Sequence, residues 1–131
     1  MLDWNMPVAR GADNPMLHAL SSAEFIHGED GLANTDLTPP MRQATTEHAV
    51  DQMLRLSHEL QGELTILAFG PLTNLGIAFL RDPSLASRIE RVVLMGGSNS
   101  FGNVNAVAEA NIINDPEAAR IVFHSGMKIL M

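Results

Sequence analysis

The sequence predicts an α/β domain, a mostly parallel Rossmann-like sheet flanked by helices, and three observations carry that prediction. Two short apolar runs, LTILAF (64–69) and RVVLMG (91–96), have the continuous hydrophobicity of strands in a parallel sheet covered on both faces. Each is followed by breakers that open a helix, Gly70-Pro71 after the first and Asp115-Pro116-Glu117 after the loop that leaves the second. The resulting order is helix, strand, helix, strand, loop, helix, strand, an alternation that argues for right-handed crossovers between parallel strands.

Taken in order, residues 1–23 read mostly as loop, because Pro7, Gly11, Asn14 and Pro15 interrupt every period. Phe25 and Ile26 precede the turn-rich tip His27-Gly28-Glu29-Asp30-Gly31, and Pro39-Pro40 close the loop region. A helix is expected from about Thr46 to Leu60, capped by Thr45 or Thr46, with Ala49, Met53, Leu56 and Leu60 on its apolar face and Gly62 ending it. The next helix places Pro71 near its first position and Leu72, Leu75, Ala78 and Phe79 on its apolar side, and Asp82-Pro83 stops it. In the last helix Asp115 is the N-cap, Pro116 the first residue and Glu117 a first-turn acid, with Ala118, Ala119, Val122 and Phe123 facing the core. Gly126 ends that helix and KILM (128–131) is the third strand. No internal repeat or linker divides residues 1–131, so they read as one domain.

Composition narrows the functional classes. A chain of 131 residues with 46% hydrophobic residues can bury a core, and its formal charge of −7 offers no basic stripe for a phosphate backbone. Nucleic acid is therefore not an expected partner. No apolar run approaches the roughly 20 residues that span a bilayer, so no membrane partner is expected. The opening MLDWNMPVARG lacks the apolar segment of a signal peptide, and cytoplasm is the expected compartment. With no cysteine there are no disulfides and no thiolate metal sites.

The chemistry concentrates in the loop after RVVLMG, which reads GGSNSFGNVNAVAEAN. Asn103, Glu109 and Asn111 combine amides that donate and accept with a carboxylate that can accept from two hydroxyls. Such a set suits a neutral polyol such as a sugar, whereas a phosphate would be repelled by Glu109. If the segment is extended, Glu109 and Asn111 point to the same side. The same residues could instead cap turns and hold the loop. Met95-Gly96-Gly97 fails the spacing of either glycine-rich phosphate loop, no lysine stands near it, and a tight turn explains its glycines. His27 sits beside Glu29 and Asp30 in a glycine-flanked tip, while His18, His48, His58 and His124 make no metal-ligand spacing. There is no GxSxG motif and no Ser-His-Asp order to support acyl transfer.

Together, HGEDGLAN, LAFGPLTNLGIA, VVLMGG, the GN pair and AEANIINDPEAA resemble the inosine–uridine-preferring nucleoside hydrolases, in the same order and spacing over roughly residues 7 to 128. The resemblance implies hydrolysis of the N-glycosidic bond of ribonucleosides, to ribose and free base, with a tightly held Ca²⁺ whose bound water is the nucleophile. Position by position, Asn103, Glu109 and Asn111 resemble the residues that hold the ribose hydroxyls. Met95 resembles a methionine lining the ribose pocket and His27 the histidine of the base-side loop. Phe69 stands where a backbone carbonyl ligates calcium, a role that tolerates any side chain.

Departures bear on activity. The family's DxDPGxDD stretch, source of calcium ligands and a general base, has no counterpart, since Asp3 in MLDWNMP is not that motif. The asparagine of the following strand and the later His-Asp pair are also missing, so no catalytic residue is assigned and the chain reads as a partial domain. Ala110 replaces a usual phenylalanine, and Asn105-Ala106 replaces Thr-Pro. A sheet lacking a central strand exposes edges, so self-association into a homo-oligomer is expected. The implied small-molecule partner is a nucleoside.

Overall fold

A computed structural model describes residues 6–35 and 37–131, so Asp3 and Asp36 lie outside the described residues. The predicted alternation is present. A three-stranded parallel sheet in the order β3–β4–β5 is built from Leu64–Ala68, Ile89–Leu94 and Ile129–Leu130. Between its strands run α3 (Thr73–Arg81), the short α4 (Leu85–Arg88), α5 (Ala110–Asn114) and α6 (Pro116–Phe123). A separate two-stranded parallel pair joins β1 (Ala9–Arg10) to β2 (Thr45–His48), with α1 (Glu24–His27) between them. The helix α2 (Ala49–Glu59) links this pair to β3.

The start of α2 differs from expectation. Thr45 and Thr46 lie in β2, held by Thr45 N–H donating to the Val8 carbonyl at 2.7 Å, and His48 is the cap, its Nδ1 accepting from Val50 N at 3.2 Å. The buried face carries Val50 and Ser57, with Met53 and Leu54 packed beside them, and Leu60 is exposed. Helix α3 begins at Thr73, after Pro71, and buries Leu72, Leu75 and Ala78 as expected. Gly76 lets it lie close to α6: a Cβ there would come within 2.9 Å of Met16 Cε and 3.2 Å of Ala118.

One core joins Val50, Leu75, Ala78, Leu85, Val92, Leu94, Ala118 and Val122. These residues come from α2, α3, α4, α6 and a single side of β4. The other side of the sheet corrects the prediction of strands covered on both faces: burial alternates along β3 and leaves Leu67 exposed. Leu67 pairs in register with Val93, and Val93 with Leu130, so an apolar row crosses all three strands on the open face. Leu67 and Leu130 are each 59% exposed. Phe123 is also a correction. It is 44% exposed at the end of α6, where it borders a concavity instead of the core.

Two polar hubs tie the layers together. Asp115, fully buried, accepts from Ala118 N at 2.9 Å as the cap of α6, and from Met16 N at 3.0 Å and Thr73 Oγ1 at 2.6 Å. It thereby fastens the N-terminal loop and the start of α3 to α6. On the opposite end, Arg88 Nη2 donates to Asp82 Oδ2 at 2.6 Å and Nε to Ser57 Oγ at 3.1 Å, linking the ends of α3 and α4 to α2. The Ser84 hydroxyl, with help from Arg88, lowers the pKa of Asp82 from the usual 3.8 to about 2. A depressed carboxylate contributes stability above its unfolded pKa and loses it as pH falls toward the folded one. The stability difference between wild type and Asp82→Asn is therefore expected to be full at pH 6 and to shrink as pH drops from about 4 to 2, as read by urea midpoints.

Candidate functional site

In-register pairing of Ala68 with Leu94 brings the carboxyl ends of β3 and β4 side by side, so Phe69 and Met95 emerge together. That is where open parallel sheets present sites. The chain then runs through the loop 96–109 and returns at α5, placing Asn111 over both strand ends. Asn111 Nδ2 donates to the Met95 carbonyl at 2.9 Å and to the Phe69 carbonyl at 3.3 Å, and lies 3.5 Å from Met95 Sδ.

Glu109 is buried, 8% exposed, and caps α5. Its Oε2 accepts from Gly97 N at 2.9 Å, Asn111 N at 3.0 Å and Ile112 N at 3.2 Å; Oε1 accepts from Asn111 N at 3.0 Å. The expectation of an extended segment with Glu109 and Asn111 on one side is corrected here. The carboxylate gathers the N–H groups that follow it and so starts a helix with Asn111 in its first turn. Its bond to Gly97, which has φ +79°, also pins the turn after β4. Asn103 closes the loop from the other side, its Oδ1 accepting from Ala110 N at 2.8 Å.

Four of the six residues singled out from the sequence thus gather in one network: Phe69, Met95, Glu109 and Asn111. Asn103 joins it through the α5 backbone. His27 does not: it is exposed in the last turn of α1, and among the described residues no hydrogen bond joins it to the others. Gly102 was not singled out, yet a Cβ on it would collide with the backbone of Ala108 and the carbonyl of Asn105. The GN pair was the available signal. Gly102→Ala is expected to reopen the loop, costing about 1–3 kcal/mol in urea unfolding, since every obstructing atom is backbone.

Two further features frame the site. A concavity of about 420 Å³ beside the loop is lined mainly by apolar groups, among them Val107, Ile112, Phe123 and Met131, with Glu109 also in its lining. Its lining does not match a polyol, whereas the amides above the strand ends do. Calcium takes about six to eight oxygens. Among the described residues no group of three or more His, Asp or Glu gathers to hold a metal, and the Phe69 carbonyl already accepts the Asn111 amide. The described residues do not by themselves fit the ion.

The model of the family described as inosine-uridine preferring nucleoside hydrolase matches residues 1–131. The chain belongs to that family. It is 46% identical over 127 residues to uridine nucleosidase 1 of Arabidopsis thaliana, covering 95% of this chain and 38% of that protein. It is 39% identical over 130 residues to the pyrimidine-specific ribonucleoside hydrolase RihB of Escherichia coli, covering 99% and 42%. Among solved nucleoside hydrolases, the plant enzyme PpNRh1 superposes with a TM-score of 0.90 at 42% identity, over 95% of this chain and 40% of that one. The purine-preferring ribonucleoside hydrolase from Gardnerella vaginalis gives 0.89 at 34%, over 94% and 40%. The chain therefore spans less than half the length of these nucleoside hydrolases, and the α/β fold with parallel strands is theirs over that span.

Proposed function

We propose that this chain carries the ribose-holding part of a ribonucleoside N-ribohydrolase. Asn103, Glu109 and Asn111 hold the sugar hydroxyls, Met95 lines the ribose, and His27 belongs to the base-side loop. The observation that carries the reading is the network that sets Asn111 and Glu109 above the joined ends of β3 and β4. Cleavage of an N-glycosidic bond leaves an oxocarbenium-like sugar, and acceptors that grip its hydroxyls in a distorted pucker favour that state. On the same reading the Phe69 carbonyl, with the lone pair that the Asn111 amide leaves, is one ligand of a Ca²⁺. The relatives named above act on uridine, on pyrimidine ribonucleosides or preferentially on purine ones, so the shared element is the ribosyl bond and not the base.

A second reading is favoured by Glu109, a buried carboxylate that the backbone N–H groups of Gly97, Asn111 and Ile112 engage in holding the loop. On that reading the chain binds ribose without cutting. Release of reducing sugar from uridine or inosine with Ca²⁺ in excess supports hydrolysis; calorimetric binding of uridine without release supports the second reading. Neither binding nor release would sink both.

Self-association is proposed as well. The row Leu67–Val93–Leu130 continues toward Phe69, 73% exposed, and Met95, 54% exposed, on an open sheet face. Light scattering at micromolar concentration is expected to show a dimer or larger species, and Leu67→Glu to return it to a monomer. A monomeric wild type contradicts the proposal.

A further inference from the structure

The position of Asn111 gives it a task distinct from touching a sugar. A side-chain amide has two N–H donors on one arm and an acceptor oxygen on the other. In Asn111 the donor arm faces two carbonyls at once, those of Met95 at 2.9 Å and Phe69 at 3.3 Å, which stand at the ends of adjacent strands. Turning the amide over would set Oδ1 against both carbonyl oxygens. The surroundings therefore fix which way round the group sits.

We propose that Asn111 is a positioning residue that clasps the carboxyl ends of β3 and β4 and, held in that orientation, offers a ligand only its acceptor oxygen. Glu109 completes the pattern. Its Oε2 is taken by three backbone N–H groups, while Oε1 accepts only one of them and keeps capacity for another donor. The pair thus presents two acceptors of fixed direction. They select a ligand that donates, such as a neutral diol or polyol, and disfavour a carboxylate or phosphate. The ligand part rests on the ribose reading above; the clasp does not.

Asn111→Asp tests the clasp. The substitution keeps the shape and removes the donors, so above neutrality a carboxylate faces two carbonyl oxygens. On protonation it regains one donor, and the two carbonyls raise its pKa above the ordinary carboxylate range. A raised folded pKa adds stability at low pH that is lost as pH rises. Relative to wild type in metal-free buffer, the melting temperature of Asn111→Asp is expected to be well below at pH 7.5 and to recover at least half of that deficit at pH 4.5. Asn111→Leu, which cannot protonate, is expected to keep its full deficit at both values. In the wild type, the Asn111 Nδ2 protons are expected to exchange with solvent at least tenfold more slowly than those of exposed Asn14, a readout that needs no variant to fold. Equal deficits of Asn111→Asp at the two pH values, or side-chain exchange as fast as Asn14, would overturn the clasp. If the clasp passes but uridine and ribose leave the Asn111 amide resonance unmoved, the ribose reading fails alone.

Discussion

Asp115→Ala is expected to be the most damaging single substitution on the helical side of the fold. It removes three accepted hydrogen bonds at a residue with no solvent exposure and orphans Met16 N, Ala118 N and the Thr73 hydroxyl. Each buried donor left unmade costs about 1–3 kcal/mol, and the lost helix cap is part of that sum. Because the costs overlap, about 4 kcal/mol is expected overall, enough to lower the melting temperature by more than about 10 °C. Asp115→Asn keeps one acceptor and, with the Thr73 hydroxyl free to turn, is expected to lose about half as much. Equal loss for the two variants would mean that the carboxylate acts through charge and not through its bonds. Calorimetry of both variants decides it.

Glu109→Ala has the second largest effect, and it falls on the site. The carboxylate holds Gly97 to α5 and supplies the cap that makes residues 110–114 helical. Its removal is expected to cost about 2–4 kcal/mol and to abolish measurable uridine binding, because the loop loses its tie to β4. Glu109→Gln separates the two consequences. Its single carbonyl oxygen can still take the N–H groups of Gly97, Asn111 and Ile112, which turns the NH₂ arm toward the ligand. The fold is then expected to survive with a loss of about 1 kcal/mol, while sugar binding falls at least tenfold. Full binding by a folded Glu109→Gln protein would show that Glu109 holds the loop and nothing more.

Local signals were enough for α3, α6 and the strands between them. Pro71, Asp82, Asp115 and Pro116 mark ends through their own backbone limits and caps, which need no distant partner. What escaped depends on contacts far apart in sequence. TTEH becomes β2 only because Val8 and Ala9 lie beside it, and that pairing displaces the helix start to His48. Helix α5 is five residues long and exists because the Glu109 side chain folds forward over it. Alternation in β3 was hidden because Leu67 is apolar yet lies on the open face, so hydrophobicity alone could not report which side was covered.

The candidate site was legible to the same extent. The loop residues were visible as a set of amides and one acid, and their meeting with Phe69 follows from strand register that no local pattern encodes. Family membership rests on the whole chain, whereas the role of each residue rests on the geometry at the ends of β3 and β4.

The most direct test of a sugar-holding loop is nuclear magnetic resonance of the ¹⁵N-labelled protein titrated with uridine to about 10 mM, the range of weak binding. The site described here predicts saturable shifts in the side-chain amides of Asn103 and Asn111 and the backbone N–H of Gly97, with the same set moved by ribose alone. Saturable shifts confined to other parts of the chain, or no shifts at all, would contradict it.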